Sequence, residues 1–566
     1  MSNKHTININ GSPRSAGLTF YEWQGRTVIR TSKSLQPRRQ TRAQFKVRMR
    51  FLHTRTLWSA LKDCCTPFFV CAFSVVPLSL PSSSRQSVSL RNLCRPGRQV
   101  FFRRLKKNVY FCILFSTVAM EKVYIETYGC QMNFADSEVV GSILTAAGYG
   151  LCDDLAEADY VLINTCAIRD NAEQRVRHRV RELRALQGRR AGLRIGVLGC
   201  MAERLQDRLM AEEDNLSFVC GPDAYRRLPD LLREVGEGRR RAEVELSTTE
   251  TYADIEPVRL GSNGITAYIS IMRGCQNYCS YCVVPYTRGR ERSRDPQTVV
   301  AEARELVARG YREVTLLGQN VNSYGLTPSP SPSGEGSGKR VAFPELLELV
   351  AEVDPQLRVR FATSHPKDLS DSLLQAMAAH PNICRCIHLP VQSGSDRMLK
   401  LMNRKYTVEW YMDRIAAIRR YLPDCSITTD VIAGFSSETE EDHQATLDLF
   451  RRVRYDYAYM FKYSLREGTY AARHLADDVP DEVKTRRLNE IIALQGEIAL
   501  ENNRQEVGRE YEVLVEGESH RSKERLFGRN SQNKVLVFDR GDAQLGTYRQ
   551  VRVVDCTAAT LLGELV

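Results

Sequence analysis

Residues 1–119 hold only two acids, Glu22 and Asp63, against 21 Lys and Arg. That stretch carries a net charge of +19 while the whole 566-residue chain carries +12, so everything after it is net −7. The basic balance belongs to a leader, and the overall charge is no argument for nucleic-acid binding. Long apolar runs are missing as well. Residues 67–80 and 109–119 fall short of the roughly 20 residues a membrane span needs, and Pro77 interrupts the first. Residues 1–10 are polar with no apolar core behind them, so no secretory signal opens the chain. Seventeen cysteines in so long a chain do not make a small disulfide scaffold.

The leader is rich in Arg and Ser and lacks sustained periodicity. It reads as a disordered segment or a mis-assigned start, with Met120 the initiator, because 120–124 leads directly into a strand pattern. An organellar transit peptide is the second reading. Its cysteines, Cys64, Cys65, Cys71, Cys94 and Cys112, receive no role.

The chemistry begins at Gly274-Cys275-Gln276-Asn277-Tyr278-Cys279-Ser280-Tyr281-Cys282, spaced C-x-x-x-C-x-x-C. Three thiolates so spaced can hold three corners of a cubane iron–sulfur cluster and leave the fourth iron open to a small molecule. A zinc site closed by a distant His is the competing reading, but the C-x-x-x-C step is unusual for zinc. Thiols at cluster spacing point to a reducing, cytosol-like compartment. The stretch resembles the radical S-adenosylmethionine (SAM) enzymes. That resemblance implies that the open iron chelates SAM, which an electron from the cluster cleaves to a 5′-deoxyadenosyl radical.

Upstream, apolar strands at 123–128, 160–165 and 195–198 each run into a cysteine: Cys130, Cys166 and Cys200. Helical patterns follow at about 134–147, 170–187 and 201–213. Such alternation predicts a doubly wound parallel sheet over 121–237, whose strand C-termini share one edge. Three cysteines then meet there as a second triad. One buried cysteine at a strand end is ordinary packing; three at equivalent positions are a site. Cys152 and Cys220 fall outside this pattern and read as structural. Arg175, Arg177, Arg179, Arg181, Arg184, Arg189, Arg190 and Arg194 make either a phosphate-contacting face or a solvated basic one.

Thr127-Tyr128-Gly129-Cys130-Gln131-Met132-Asn133, with Asp136-Ser137-Glu138, resembles the amino-terminal domain of the methylthiotransferase family. So do Asn164-Thr165-Cys166-Ala167-Ile168-Arg169 and Leu198-Gly199-Cys200-Met201-Ala202. The resemblance implies that Cys130, Cys166 and Cys200 hold an auxiliary 4Fe-4S cluster that handles the inserted sulfur. Two 4Fe-4S clusters and SAM are the implied cofactors.

After a polar linker at 238–260, six strand–helix units over 261–503 predict a partial (β/α)6 barrel, with Cys275 at the end of its first strand. Strand ends there carry polar or glycine-bearing words at 318–320, 363–366, 390–395 and 430–435, candidates for binding SAM as a set. His365 and His388 read as satisfied structural residues, and Cys384, Cys386 and Cys425 as packing. Residues 327–339, rich in Pro, Ser and Gly, read as a disordered surface loop. Residues 504–566 predict a small all-β barrel in the position of a TRAM domain, an RNA-binding module. Arg521, Lys523, Arg525, Arg529 and Lys534 are its candidate phosphate contacts.

Gln131-Met132-Asn133 and the run from Val283 to Arg294 look most like the branch of the family acting on isopentenylated adenosine beside the tRNA anticodon. The implied reaction is methylthiolation at C2 of that base, using two SAM. Relatives acting on threonylcarbamoyladenosine or on a ribosomal-protein aspartate are the alternative. The implied setting is a cytoplasmic monomer, free of membrane, served by an electron donor such as flavodoxin or ferredoxin.

Overall fold

The computed structural model describes residues 120–566 except 168–169, 191, 327–339 and 520. It also describes five leader strands, Lys4–Ile7, Leu18–Trp23, Arg26–Thr31, Arg98–Leu105 and Val109–Ser116, which pair antiparallel in that order within a unit of their own. The remainder of the leader and the loop 327–339 lie outside the described residues, and with them the readings made of those segments.

In the second unit, strands β1 (Lys122–Tyr128), β2 (Gly150–Leu151), β3 (Tyr160–Thr165), β4 (Arg194–Gly199), β5 (Phe218–Cys220) and β6 (Arg241–Glu243) make one parallel sheet. Their order is β6-β5-β4-β3-β1-β2. β3 is buried at every residue, as a central parallel strand covered on both faces must be. Helices α1 (Gln131–Ala146), α2 (Asp170–Arg189), α3 (Cys200–Leu205), α4 (Asp207–Glu212) and α5 (Leu228–Gly236) cover those faces. Residues 238–260, expected as a polar linker, are packed instead. They supply β6 and the buried ring of Tyr252, which stacks on Tyr225 at 5.9 Å.

The barrel uses β7 (Thr266–Ser270), β10 (Glu313–Leu317) and β11 (Arg358–Phe361) as one parallel set. Strands β12 (Cys386–His388), β13 (Ser426–Ala433) and β14 (Tyr457–Lys462) form the other. A parallel bridge between Val359 and Ile383 joins the two sets, so the six strands make one open barrel. A short ribbon, β8 (Met272–Arg273) with β9 (Arg292–Ser293), flanks its first strand. Between them lies a one-turn helix, α6 (Val284–Thr287). The outer core joins Ile269, Leu316, Val359, Ile387, Ile427 and Ala458 to helices α7 (Pro296–Ala308), α8 (Phe343–Ala351), α9 (Asp371–Ala379), α11 (Val408–Tyr421), α12 (Glu440–Val453) and α14 (Asp481–Arg504). Short helices α10 (Asp396–Leu401) and α13 (Tyr470–His474) lie nearer the mouth.

Residues 504–566 close into a five-stranded barrel: β15 (Glu510–Ser519), β16 (Ser522–Arg529), β17 (Val535–Asp539), β18 (Tyr548–Cys556) and β19 (Leu561–Leu565). It is bolted to the amino-terminal ends of the (β/α)6 strands, opposite the mouth. Arg358 donates to the carbonyls of Arg529 and Glu512, and Arg360 to those of Asn530 and Ser531 at 2.8 and 3.1 Å. Gln532 reaches Asp424 and Lys534 reaches Asp456, just before β13 and β14.

Candidate active site

Register brings the first triad together. Tyr128 pairs with Thr165 and Thr165 with Gly199, so Cys166 and Cys200 each follow a paired residue on neighbouring strands, and Cys130 comes two after its own. Gly129 lets the chain turn: its φ is +131°, and a Cβ there would stand 2.6 Å from Cys166 Cβ. Asn133, fully buried, laces two of the three strand ends. Its Oδ1 accepts from the Cys130 N–H at 3.3 Å, and its Nδ2 donates to Asn164 Oδ1 and Thr165 O at 3.1 and 3.2 Å. Cys130 caps α1, and a hydrogen bond with Cys166, aided by Arg288, brings its thiol down to about 6 against the opposing effect of burial. Cys200 shifts the other way, because burial dominates.

The second triad sits on a loop that the barrel grips from three sides. Cys275 N–H donates to Gly289 O, Ser280 N–H to Met402 O, and Ala471 N–H to Ser280 O. Gly274 has φ +79°, and a Cβ there would lie 2.1 Å from Arg290 O. Burial pushes the Cys275 thiol up to about 11 and Cys282 higher still. Such thiols stay protonated in an apolar pocket unless a cation binds them. Around this mouth Gln319 Oε1, Asn320 Oδ1, Ser364 Oγ and Ser436 Oγ are buried without a hydrogen-bond partner. Thr363 and Gln392 hold left-handed backbone, with φ of +68° and +72°. Unsatisfied acceptors and donors in one mouth fit a polar cofactor.

The two triads meet through one segment. Val283, next to Cys282, packs in a single apolar cluster with Cys200 and Ala167. Five residues on, Arg288 Nε donates to Cys200 Sγ at 3.2 Å and its Nη2 to Asp136 Oδ2 at 2.7 Å. Asp136 also takes Arg273 Nη1 at 2.8 Å, while Arg292 Nη2 binds Asp223 at 2.9 Å. Tyr252 lies under Arg273, its ring centre 4.8 Å away. Met132 packs against Leu317 at the barrel mouth. The buried Nη1 of Arg288 has no partner, beside thiols that would be anionic when ligating; this donor set fits an iron–sulfur group.

A family model described as "Uncharacterized protein family UPF0004" matches residues 122–221, one for the Radical SAM superfamily matches 269–450, and one for the TRAM domain matches 504–566. The tRNA-2-methylthio-N(6)-dimethylallyladenosine synthase of Phocaeicola vulgatus is 57% identical over 447 residues, covering 79% of this chain and 96% of that protein. Its namesake in Porphyromonas gingivalis is 54% identical over 448 residues, covering 79% and 95%. The chain belongs to the tRNA-2-methylthio-N(6)-dimethylallyladenosine synthase family. Among solved structures, the radical SAM methyltransferase TsrM of Kitasatospora setae, with cobalamin and a [4Fe-4S] cluster bound, is 16% identical with a TM-score of 0.46, covering 62% of this chain and 77% of that one.

In this synthase-family chain the remaining candidates divide clearly. His365 is buried, accepts from Lys367 N–H, and is held down to about 2 by burial and Arg404. His388 bonds Thr428 Oγ1 at 2.9 Å. Cys386 and Cys425 are partly buried thiols raised by desolvation, as is the buried Cys220. The arginine-rich helix α2 is largely matched by acids: Arg177 with Glu212, Arg179 with Glu126, Arg181 with Glu213, Arg184 with Asp214. In the carboxy-terminal barrel Arg525, Arg529 and Lys534 pair with Asp539, Glu516 and Glu506. Arg288, Arg404, Arg273 and Asp136 are the residues that motif reading did not single out. Asp136 and Arg288 stood inside motif words, but their pairing across 152 positions leaves no local trace.

Proposed function

We propose that this chain methylthiolates C2 of N6-isopentenyladenosine beside the tRNA anticodon. Its substrates are tRNA and SAM, and its cofactors are two 4Fe-4S clusters, one held by Cys275, Cys279 and Cys282 and one by Cys130, Cys166 and Cys200. The observation that carries this reading is the contact of Val283 with Cys200, which sets two cysteine triads side by side in one chain. The 53–57% identity to synthases of that name supports the substrate.

When bound, the clusters and SAM supply the one-electron cleavage, the radical and the sulfur. The chain's own residues bind, orient and exclude water. Cys279 is fixed by Arg404, whose Nη1 lies 3.3 Å from its sulfur. Phe134, Tyr278, Tyr286 and Tyr470 expose 43–54% of their surface around the triads. Exposed rings beside a buried reaction centre suit stacking of unpaired bases, and a base must leave its stack to present C2. The domains divide as 121–237 for sulfur handling, 261–503 for radical generation and 504–566 for the small barrel. Both triads lie in one chain, which supports a monomer. Free thiols support a reducing cytoplasmic setting, with an external donor such as flavodoxin or ferredoxin. Among the described residues, no helix is long and apolar enough to cross a membrane.

Anaerobic reconstitution with iron and sulfide tests the reading: about eight irons per chain are expected from two cubanes. Cys279→Ser is expected to abolish SAM cleavage, whereas Cys166→Ser keeps cleavage and loses methylthiolation of isopentenyladenosine-bearing tRNA. A preparation that binds zinc and never cleaves SAM refutes it.

A further inference from the structure

Each triad has one buried arginine on one of its sulfurs, and the two arginines differ. Arg404 gives Nη1 to Cys279 Sγ at 3.3 Å, Nε to the Tyr406 hydroxyl at 2.8 Å and Nη2 to Pro390 O at 2.7 Å. All three of its nitrogens have partners. Arg288 gives Nε to Cys200 Sγ and Nη2 to Asp136, while Nη1 is buried without an acceptor. The residue is 2% exposed, out of reach of bulk solvent. An unsatisfied buried donor on a charged group is strongly disfavoured.

Charge points the same way. Arg273, Arg288 and Arg292 share one buried network with Asp136 and Asp223, which leaves one positive charge in excess. Glu203 nearby is a weak counter-charge, raised to about 7 by burial and by Asp223. A buried surplus cation is costly unless an anion joins it.

We propose that Arg288 is a positioning residue of the auxiliary cluster, holding it from the barrel side by donating Nε to Cys200 Sγ and Nη1 to a cluster sulfide. Its charge and hydrogen bonds raise the reduction potential of that cluster, since both favour the more negative, reduced state. The inference rests on reading Cys130, Cys166 and Cys200 as a cluster site. On this account the cluster is enclosed by two domains: its thiolates come from the parallel-sheet domain, and its guanidinium comes from the segment that also carries Cys282.

The test uses the full chain with Cys275, Cys279 and Cys282 replaced by Ala, so that one cluster gives every signal. Iron content, the potential from an EPR-monitored titration, and the shift of Fe–S stretching bands in D2O are measured after anaerobic reconstitution. Arg288→Gln is expected to lower the reduction equilibrium constant about tenfold, about 59 mV for one electron, and to diminish the deuterium shift. Arg294→Gln removes a buried guanidinium that pairs with Glu302, outside that network and touching no sulfur, and is expected to leave that constant within twofold. An unchanged potential and deuterium shift in Arg288→Gln overturn the proposal, as does an equal change in Arg294→Gln. Should Arg288→Gln load no iron, Arg288→Met, which removes both the charge and the donors, is read in its place, and parent values there for both observables overturn it too. Four irons in the triple-Ala chain establish the site on which the inference stands; no cluster there removes the site reading and the inference together.

Discussion

Asp136→Asn should loosen the grip of the parallel-sheet domain on the barrel. Asp136 is 1% exposed and accepts from Arg273 and Arg288 at 2.8 and 2.7 Å, both from the segment following Cys275's strand. Burial alone would raise its carboxyl, but the two guanidiniums outweigh burial and hold it below its ordinary value of 3.8. Asparagine keeps the shape and removes the charge, leaving three buried guanidiniums to Asp223 alone. Removing one partner of a buried ion pair costs about 3–5 kcal/mol. An exposed pair is the control: Asp230–Arg233, at 2.9 Å with both side chains more than 60% exposed, should cost under about 1 kcal/mol when Asp230→Asn is made.

Native-state hydrogen exchange is the suitable assay, because a multidomain chain does not unfold in one step. Protection of peptides covering α1 and β9 should fall roughly a hundred- to several-thousand-fold, the same 3–5 kcal/mol at 1.36 kcal/mol per decade. The sign with pH follows from the depressed carboxyl. The charge contributes fully above the unfolded pKa of about 3.9 and is lost as pH falls through the lower folded value, so parent and variant converge only in strong acid. A loss of protection below tenfold at neutral pH, or convergence near pH 6, would refute the reasoning.

Three further outcomes can be checked. Gly129→Ala places a methyl 2.6 Å from Cys166 Cβ at a φ of +131°, so iron should fall from about eight to about four per chain while SAM cleavage persists; retention of all eight would contradict the packing. Tyr278→Ala and Phe134→Ala each remove an exposed ring beside a triad, and KM for tRNA should rise by roughly 1–3 kcal/mol per lost stack with little change in SAM cleavage lacking tRNA; equal KM values would move the RNA elsewhere. Arg360→Met removes the donors to Asn530 O and Ser531 O and leaves Glu313 unpaired, so limited proteolysis should cut between α14 and β15, and resistance equal to the parent would show the small barrel docks without it.

What the sequence makes legible here is whatever is written locally. Tyr160–Thr165 is apolar throughout and ends at a cysteine, and two other strands do the same; parallel pairing then fixes where those cysteines go. The barrel strands were readable for the same reason. Ser522–Arg529 was not, because it pairs on both sides yet buries only Leu526 and Gly528, so its Lys-Glu-Arg face reads as a solvated turn. Residues 238–260 looked polar because Ser247 and Glu250 serve Arg292 with backbone carbonyls, a role open to many side-chain types. Charge composition could not show the pairing in either basic stretch, since the partners of Arg181 and Arg529 lie 32 and 13 positions away.

On the proposed two-cluster reading, the spacing between the two triads is the quantity on which the reaction depends, and six residues set it. Cys282 belongs to one site and Arg288 touches the other, with the turn Val284–Thr287 between them. At the helical rise of 1.5 Å per residue, that segment spans on the order of 10 Å. Such a strap leaves little freedom: Val283 is clamped against Cys200 and Ala167, Arg288 against Asp136, and Gly289 O takes the Cys275 N–H. A hinge between the domains would have to break these contacts at once. The geometry therefore favours a substrate base brought to two fixed centres over domains that close on it. An insertion of two residues between Val284 and Arg288 should leave SAM cleavage intact and abolish sulfur transfer; retention of transfer would show that the centres approach each other by domain motion instead.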